Sequence, residues 1–124
     1  MTLALWVIVL GGAGATCRYL GDLGLSTLFG RGLPWGTMTI NVVGSGLAGL
    51  LVGLTTYQHS APTVSVALLS GFLGGFTTAS TIAFEAARLI EARRTASAVG
   101  IIAGTMAAAI AAGILGLAVG SALR

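Results

Sequence analysis

Residues 71–81 read Gly-Phe-Leu-Gly-Gly-Phe-Thr-Thr-Ala-Ser-Thr and lie inside a hydrophobic run long enough to cross a membrane. A helix in lipid satisfies its own backbone hydrogen bonds, so three glycines and four hydroxyl residues at mid-depth mark a deliberate interruption. Irregular backbone survives at that depth only where it is buried in protein or lines a wet cavity. The carbonyls it frees are natural ligands for a small cation. The pattern points to a transport protein.

Other polar residues fall at helical spacings. Thr37, Asn41 and Ser45 stand at i, i+4 and i+8, which puts them on one stripe of one helix and makes a hydrophilic track. Arg18 and Asp22 are one turn apart within an apolar segment. A bare charge at the bilayer centre costs ~2.5–3.5 kcal/mol on insertion scales, and an i,i+4 pair offsets part of that. Thr81, Glu85 and Arg88 share a face, and Glu91 with Arg94 has the spacing of an i,i+3 pair. The lone Cys17 reads as a packed small residue and His59 as a solvated turn residue. Catalysis has little to work with. Gly11-Gly12-Ala13-Gly14 lacks the strand and acidic partner of a phosphate-binding loop, so an enzyme is not expected.

The elements that must position these residues are membrane spans. The 124 residues are 56% hydrophobic and 7% charged, with a mean hydropathy of +1.00, against roughly 25% charge in a soluble domain. Four apolar stretches, 3–28, 35–57, 62–92 and 96–123, each meet the ~20 residues needed to span a bilayer. They form a single four-span domain over residues 1–124, with the third helix broken near Gly74-Gly75. The first stretch resembles a signal-peptide core, yet no basic residue precedes it, so it is read as the first span. Pro34-Trp35 combines a helix start with an interface anchor. Gly49 and Gly53 form a GxxxG, and the fourth span carries only Thr105 as a mid-span polar group among glycines and alanines, which reads as a packing helix. The net charge of +3 comes from six arginines, too few and too dispersed for nucleic-acid binding. Arg31, Arg88, Arg93 and Arg94 gather near loops 1 and 3, while the other side has only Arg124. By the positive-inside rule, loops 1 and 3 are expected in the cytoplasm.

Three segments together carry a resemblance. Arg18 within Gly-Ala-Thr-Cys-Arg-Tyr, residues 36–45 reading Gly-Thr-Met-Thr-Ile-Asn-Val-Val-Gly-Ser, and the 71–81 run followed by Glu85 are similar, in order and spacing, to the small bacterial fluoride channels of the CrcB/Fluc family. That resemblance implies an all-α antiparallel dimer of four-helix subunits in a bacterial plasma membrane, with narrow fluoride pores and a buried structural Na⁺ that is not transported. It implies main-chain oxygens of Gly74 and Thr77 as the sodium ligands and Asn41 as a pore-lining donor to F⁻. It also implies a vestibular Arg18, and pore positions at Thr37, Ser45, Thr78, Ser80 and Thr81.

The chain also departs from that pattern. Where the family carries two phenylalanines after the paired threonines, this chain has Ala79 and Ile82, and Phe76 and Phe84 lie out of register. A fixed, arginine-biased orientation together with the missing rings points to one half of an antiparallel heterodimer whose homologous partner supplies aromatic residues. A homodimer is the other possibility. The competing functional classes are a small-multidrug-type exporter subunit and a non-conducting structural subunit. Against the exporter stands Asp22, the sole carboxylate in span 1, which Arg18 is expected to neutralise.

Overall fold

The computed structural model describes residues 2–56 and 62–123, and these form an all-α membrane protein. Helix α1 (Thr2–Phe29) is followed by α2 (Trp35–Thr55). The third span starts as α3 (Pro62–Val66), widens into a π-helical stretch (Ala67–Leu73), closes with one turn, α4 (Gly74–Phe76), and resumes as α5 (Ser80–Glu91). Helix α6 (Thr95–Ala122) completes the chain. Among the described residues four helical segments are long and apolar enough to cross a membrane, which makes this a multi-pass membrane protein. His59 and Arg124 lie outside the described residues.

Side-chain burial is sparse because lipid, not water, surrounds such a bundle. Leu5, Ile8, Ile114 and Leu115 are all more than half exposed, at no cost in a hydrocarbon solvent. Backbone contact through glycine does the packing instead. On α2, a Cβ at Gly49 would strike the Gly113 carbonyl, and one at Gly53 the Leu117 carbonyl. On α6, a Cβ at Gly116 would strike the Gly46 carbonyl, and one at Gly120 the Leu50 carbonyl. The expected GxxxG of α2 therefore meshes with a second one, Gly116-x-x-x-Gly120, and the two helices lock tooth into gap. Gly14 and Gly75 do the same between α1 and the third span, against the Phe72 and Gly11 carbonyls.

At the loop 1 and loop 3 end, Ala86, Leu89, Ala98 and Ile101 form a small buried cluster between α5 and α6, with Leu33 and Met38 packed on it. Arg94 Nη1 donates to the Gly32 carbonyl at 3.0 Å, tying the third connection to the first and placing both at one end of the bundle. The expected Glu91–Arg94 pair does not form, because α5 ends at Glu91 in a Schellman turn. Arg93 N–H donates to Ile90 O at 2.9 Å, and Arg94 N–H to Leu89 O at 2.7 Å. Arg93 takes the left-handed position with φ 59, which glycine usually fills, and this swings Arg94 off the helix face.

The break also differs in detail from the sequence reading. Gly74 and Gly75 still lie in a helical turn. The chain leaves helix at Thr77, whose φ of −91 and ψ of 155 are extended. The preceding π-helical stretch has no signature in composition alone.

Candidate functional site

Helix α4 ends with carbonyls that have lost their partners, and the rest of the bundle supplies replacements. Thr77 N–H still reaches Leu73 O at 3.0 Å, and its hydroxyl donates to the same oxygen at 2.9 Å. Thr78 N–H instead donates to Asn41 Oδ1 at 2.8 Å, and Asn41 Nδ2 donates to Thr78 O at 2.7 Å. A single amide side chain from α2 thus mimics a neighbouring strand, satisfying both polar groups of one residue at the break. From α1, Arg18 Nε donates to the Gly75 carbonyl at 3.2 Å.

The restart of the helix uses Thr78 again. Thr81 N–H donates to Thr78 Oγ1 at 3.3 Å, the geometry of a helix N-cap, while Thr78 Oγ1 lies 3.1 Å from Ser80 Oγ and 3.2 Å from Thr81 Oγ1. These exchanges have a consequence for two oxygens. In unbroken helix, Thr78 N–H would bond Gly74 O and Thr81 N–H would bond Thr77 O. Both donors are diverted to side chains, so the Gly74 and Thr77 carbonyls lose their helical partners. They are the two positions expected as cation ligands. Two freed carbonyls suit a hard cation such as Na⁺, and Gly74 is exposed on the subunit surface.

Two cavities flank the break. The inner one, about 450 Å³, is lined by Asn41, Ser45, Thr77, Thr78 and Thr105, with apolar walls that include Ala79, Ile82, Ile102 and Met106. The outer one, about 520 Å³, lies at the loop 1 and loop 3 end and is lined by Thr37, Thr81, Asp22, Glu85, Arg31, Arg88 and Arg94, among others. Successive turns connect them. Thr37 lines the outer cavity and Asn41 the inner on α2, and Thr81 and Thr78 make the same step on the third span. The stripe read from the sequence is therefore faced by a second hydroxyl stripe.

Of the residues singled out from sequence, Asn41, Thr37, Ser45, Thr78 and Thr81 all line one or the other cavity. Ser80 is exposed and joins them only through its contact with Thr78. Arg18 is half-buried and points to the break, and it lines neither cavity. The anticipated Arg18–Asp22 pair is replaced by separate partners, because Asp22 Oδ1 accepts from Thr37 Oγ1 at 3.0 Å. The argument that Arg18 neutralises Asp22 fails with it. Glu85 and Arg88 do meet, at a loose 3.9 Å, and the Arg88 guanidinium sits 5.9 Å from the Phe84 ring centre. Phe76 stacks on Phe72 with ring centres 5.9 Å apart and fills the space opposite Gly44.

Thr105 proves more than a packing residue. It is 6% exposed and its hydroxyl oxygen is fully buried without a hydrogen-bond partner. Leaving such a group unpaired costs about 1–3 kcal/mol. A helical threonine can avoid that by bonding the carbonyl four residues back, yet this one does not. Its hydroxyl belongs to the wall of the inner cavity opposite Asn41 and Thr78.

Comparison with known proteins agrees with this arrangement. A family profile described as CrcB-like protein, Camphor Resistance (CrcB), matches residues 5–117. A Rhodospirillum centenum protein named Fluoride-specific ion channel FluC is 40% identical over 124 residues, covering 99% of this chain and 95% of its own length. One of the same name from Mesorhizobium japonicum is 39% identical over 113 residues, covering 91% of each. Fluoride-specific ion channel FluC 2 of Mycobacterium tuberculosis is 36% identical over 118 residues, covering 94% of this chain and 90% of its own.

Proposed function

The chain belongs to the CrcB-like family, and from that membership and its two connected cavities we propose that it is a subunit of a fluoride channel that lets F⁻ leave the cytoplasm of a bacterium. Its relatives bear the names of ion channels, and the family is not one of enzymes. The observation that carries the reading is the run of hydroxyl and amide groups from Thr37 and Thr81 through Asn41 and Thr78 to Ser45 and Thr105, inside an otherwise apolar bundle. A strongly hydrated anion crosses such a bundle only if donors replace its water shell. Asn41 has one amide hydrogen committed to Thr78 O, which leaves the other for the ion. The unpaired Thr105 hydroxyl is a donor in want of an acceptor.

Ala79 and Ile82 both face the inner cavity, so aromatic edges for the ion do not come from those positions in this chain. We assign them to a second, homologous subunit of opposite orientation. That reading is supported by the arginine bias, with loops 1 and 3 in the cytoplasm. The freed carbonyls of Gly74 and Thr77 would hold a structural Na⁺ shared with the partner. Its charge would balance the carbonyl dipoles of two breaks brought together.

The test is fluoride efflux from liposomes, read with a fluoride electrode and with chloride as the control anion. The lone chain should pass little fluoride, and co-expression with an adjacent phenylalanine-bearing homologue should give fast, fluoride-selective efflux. Rapid efflux from the lone chain removes the heterodimer requirement. No efflux in either preparation removes the channel reading. Cysteine labelling near Arg93 should succeed only from the cytoplasmic side. Labelling from both sides would mean dual topology.

A further inference from the structure

Asp22 is the acidic group nearest the passage between the two cavities, and the fluoride-channel reading, on which this inference rests, gives it no task. Its carboxylate accepts the only hydroxyl proton of Thr37, and Thr37 is 3% exposed at the step from the outer cavity to Asn41. Gly36 leaves the space for this. A Cβ there would collide with the Asp22 carboxylate and lie about 3 Å from its main chain, so α1 and α2 approach closely and fix the acid in place. The first turn of α2 also offers the positive end of its helix dipole, which favours a carboxylate at that spot.

The other charged groups of the outer cavity are Arg31 in loop 1, Glu85 and Arg88 on α5, and Arg94 after α5. Arg94 is spent on Gly32 O, and Arg88 on Glu85 and the Phe84 ring. Within this cationic mouth a fixed negative charge at the inner end works against an incoming anion. It also turns the Thr37 hydroxyl hydrogen away from the ion, leaving lone pairs toward the path.

We propose that Asp22 is a flux-limiting residue, a carboxylate held by Thr37 at the inner end of the vestibule, where it lowers anion access to the Asn41–Thr78 constriction. Its chemical partner is any small monovalent anion that reaches the vestibule. Asp22→Asn is the informative change, because Oδ1 can still accept from Thr37 while the charge is gone.

In the complete assembly reconstituted in liposomes, Asp22→Asn should raise the initial fluoride efflux about three- to tenfold at low ionic strength, with a smaller ratio at high salt. Asp22→Ser, a second neutral variant, should also raise it. A second readout is independent of transport. Crystals soaked in bromide should show anomalous density beside Thr37 in Asp22→Asn and none in the parent. Unchanged or reduced efflux in a well-formed variant assembly overturns the proposal. So does equal bromide density, or equal lack of it, in parent and variant. If both neutral variants fail to assemble, Asp22 is a structural tie between α1 and α2, and the proposal falls. If parent and variant alike carry no fluoride, the channel reading is what fails, and the bromide comparison alone decides for or against Asp22.

Discussion

Asn41 is where the fold and the proposed path depend on the same atoms, so its replacement gives the sharpest test. Asn41→Ala deletes both bonds to Thr78, at 2.7 and 2.8 Å, and strands a carbonyl and an N–H in the interior. Each stranded group costs about 1–3 kcal/mol, less whatever water in the inner cavity recovers, for a net of about 2–3 kcal/mol. At 1.4 kcal/mol per tenfold, that lowers the population of the intact break about 30- to 150-fold. Asn41→Asp separates the two bonds. A carboxylate keeps the acceptor for Thr78 N–H but opposes the Thr78 carbonyl with a second oxygen, and an uncompensated buried charge raises the cost to about 3–5 kcal/mol. It also places a negative charge in the anion path. Both variants should lose at least 30-fold in fluoride efflux measured with an electrode on proteoliposomes. Amide hydrogen exchange tells them apart, since Thr78 N–H should exchange rapidly in Asn41→Ala while Asn41→Asp retains an acceptor for it. An Asn41→Ala protein with a protected Thr78 amide and undiminished efflux would refute both the clamp and the pore assignment.

Other substitutions probe the packing. Gly116→Leu should prevent recovery of monodisperse protein by size-exclusion chromatography, because its side chain meets the Gly46 backbone, whereas Gly24→Ala, with open space around it, should be neutral or stabilising by up to about 1 kcal/mol in a thermal-shift assay. Gly75→Ala should dismantle the break, since a Cβ there runs into the Gly11 carbonyl. Gly74→Ala fits within the subunit, so any loss of dimer on cross-linking would report a neighbour across the surface. Arg93→Gly should stabilise the protein by about 1 kcal/mol in thermal unfolding by relieving a left-handed residue.

Spans, loops and the existence of a break were legible because lipid imposes length and apolarity on every crossing, and the departures in residues 71–81 stand out against that background. The Thr37–Asn41–Ser45 stripe was legible for a similar reason, since helical period alone aligns it. Partners across helices were not. Arg18 and Asp22 look like each other's counter-ions at i,i+4, yet each finds a better site elsewhere, the first on a carbonyl freed 57 residues away and the second on a hydroxyl 15 residues away. Neither destination exists until the helices pack. The unpaired state of Thr105 is likewise a property of the assembled cavity, although its isolation in an apolar helix had already marked it.

The wide turn over Ala67–Leu73 sets the phase of everything after it. A π-helical stretch accommodates one residue more than α-helix would over the same rise, and each residue in α-helix advances the azimuth by about 100°. The stretch therefore acts as an inserted tooth in a gear. Upstream, Gly71 faces α1 at Val7 and Leu10, and downstream, Gly75 meets α1 again at Gly11 while Thr77 turns to Gly44 of α2. Removing one residue from the stretch would restore ordinary helix, at no cost in hydrogen bonds, and would rotate the downstream carbonyls by about a quarter turn relative to Asn41 and Arg18. Sequence length in this short segment is thus under a tighter constraint than residue identity. Substitutions there change packing, but a single-residue deletion would misalign the whole constriction.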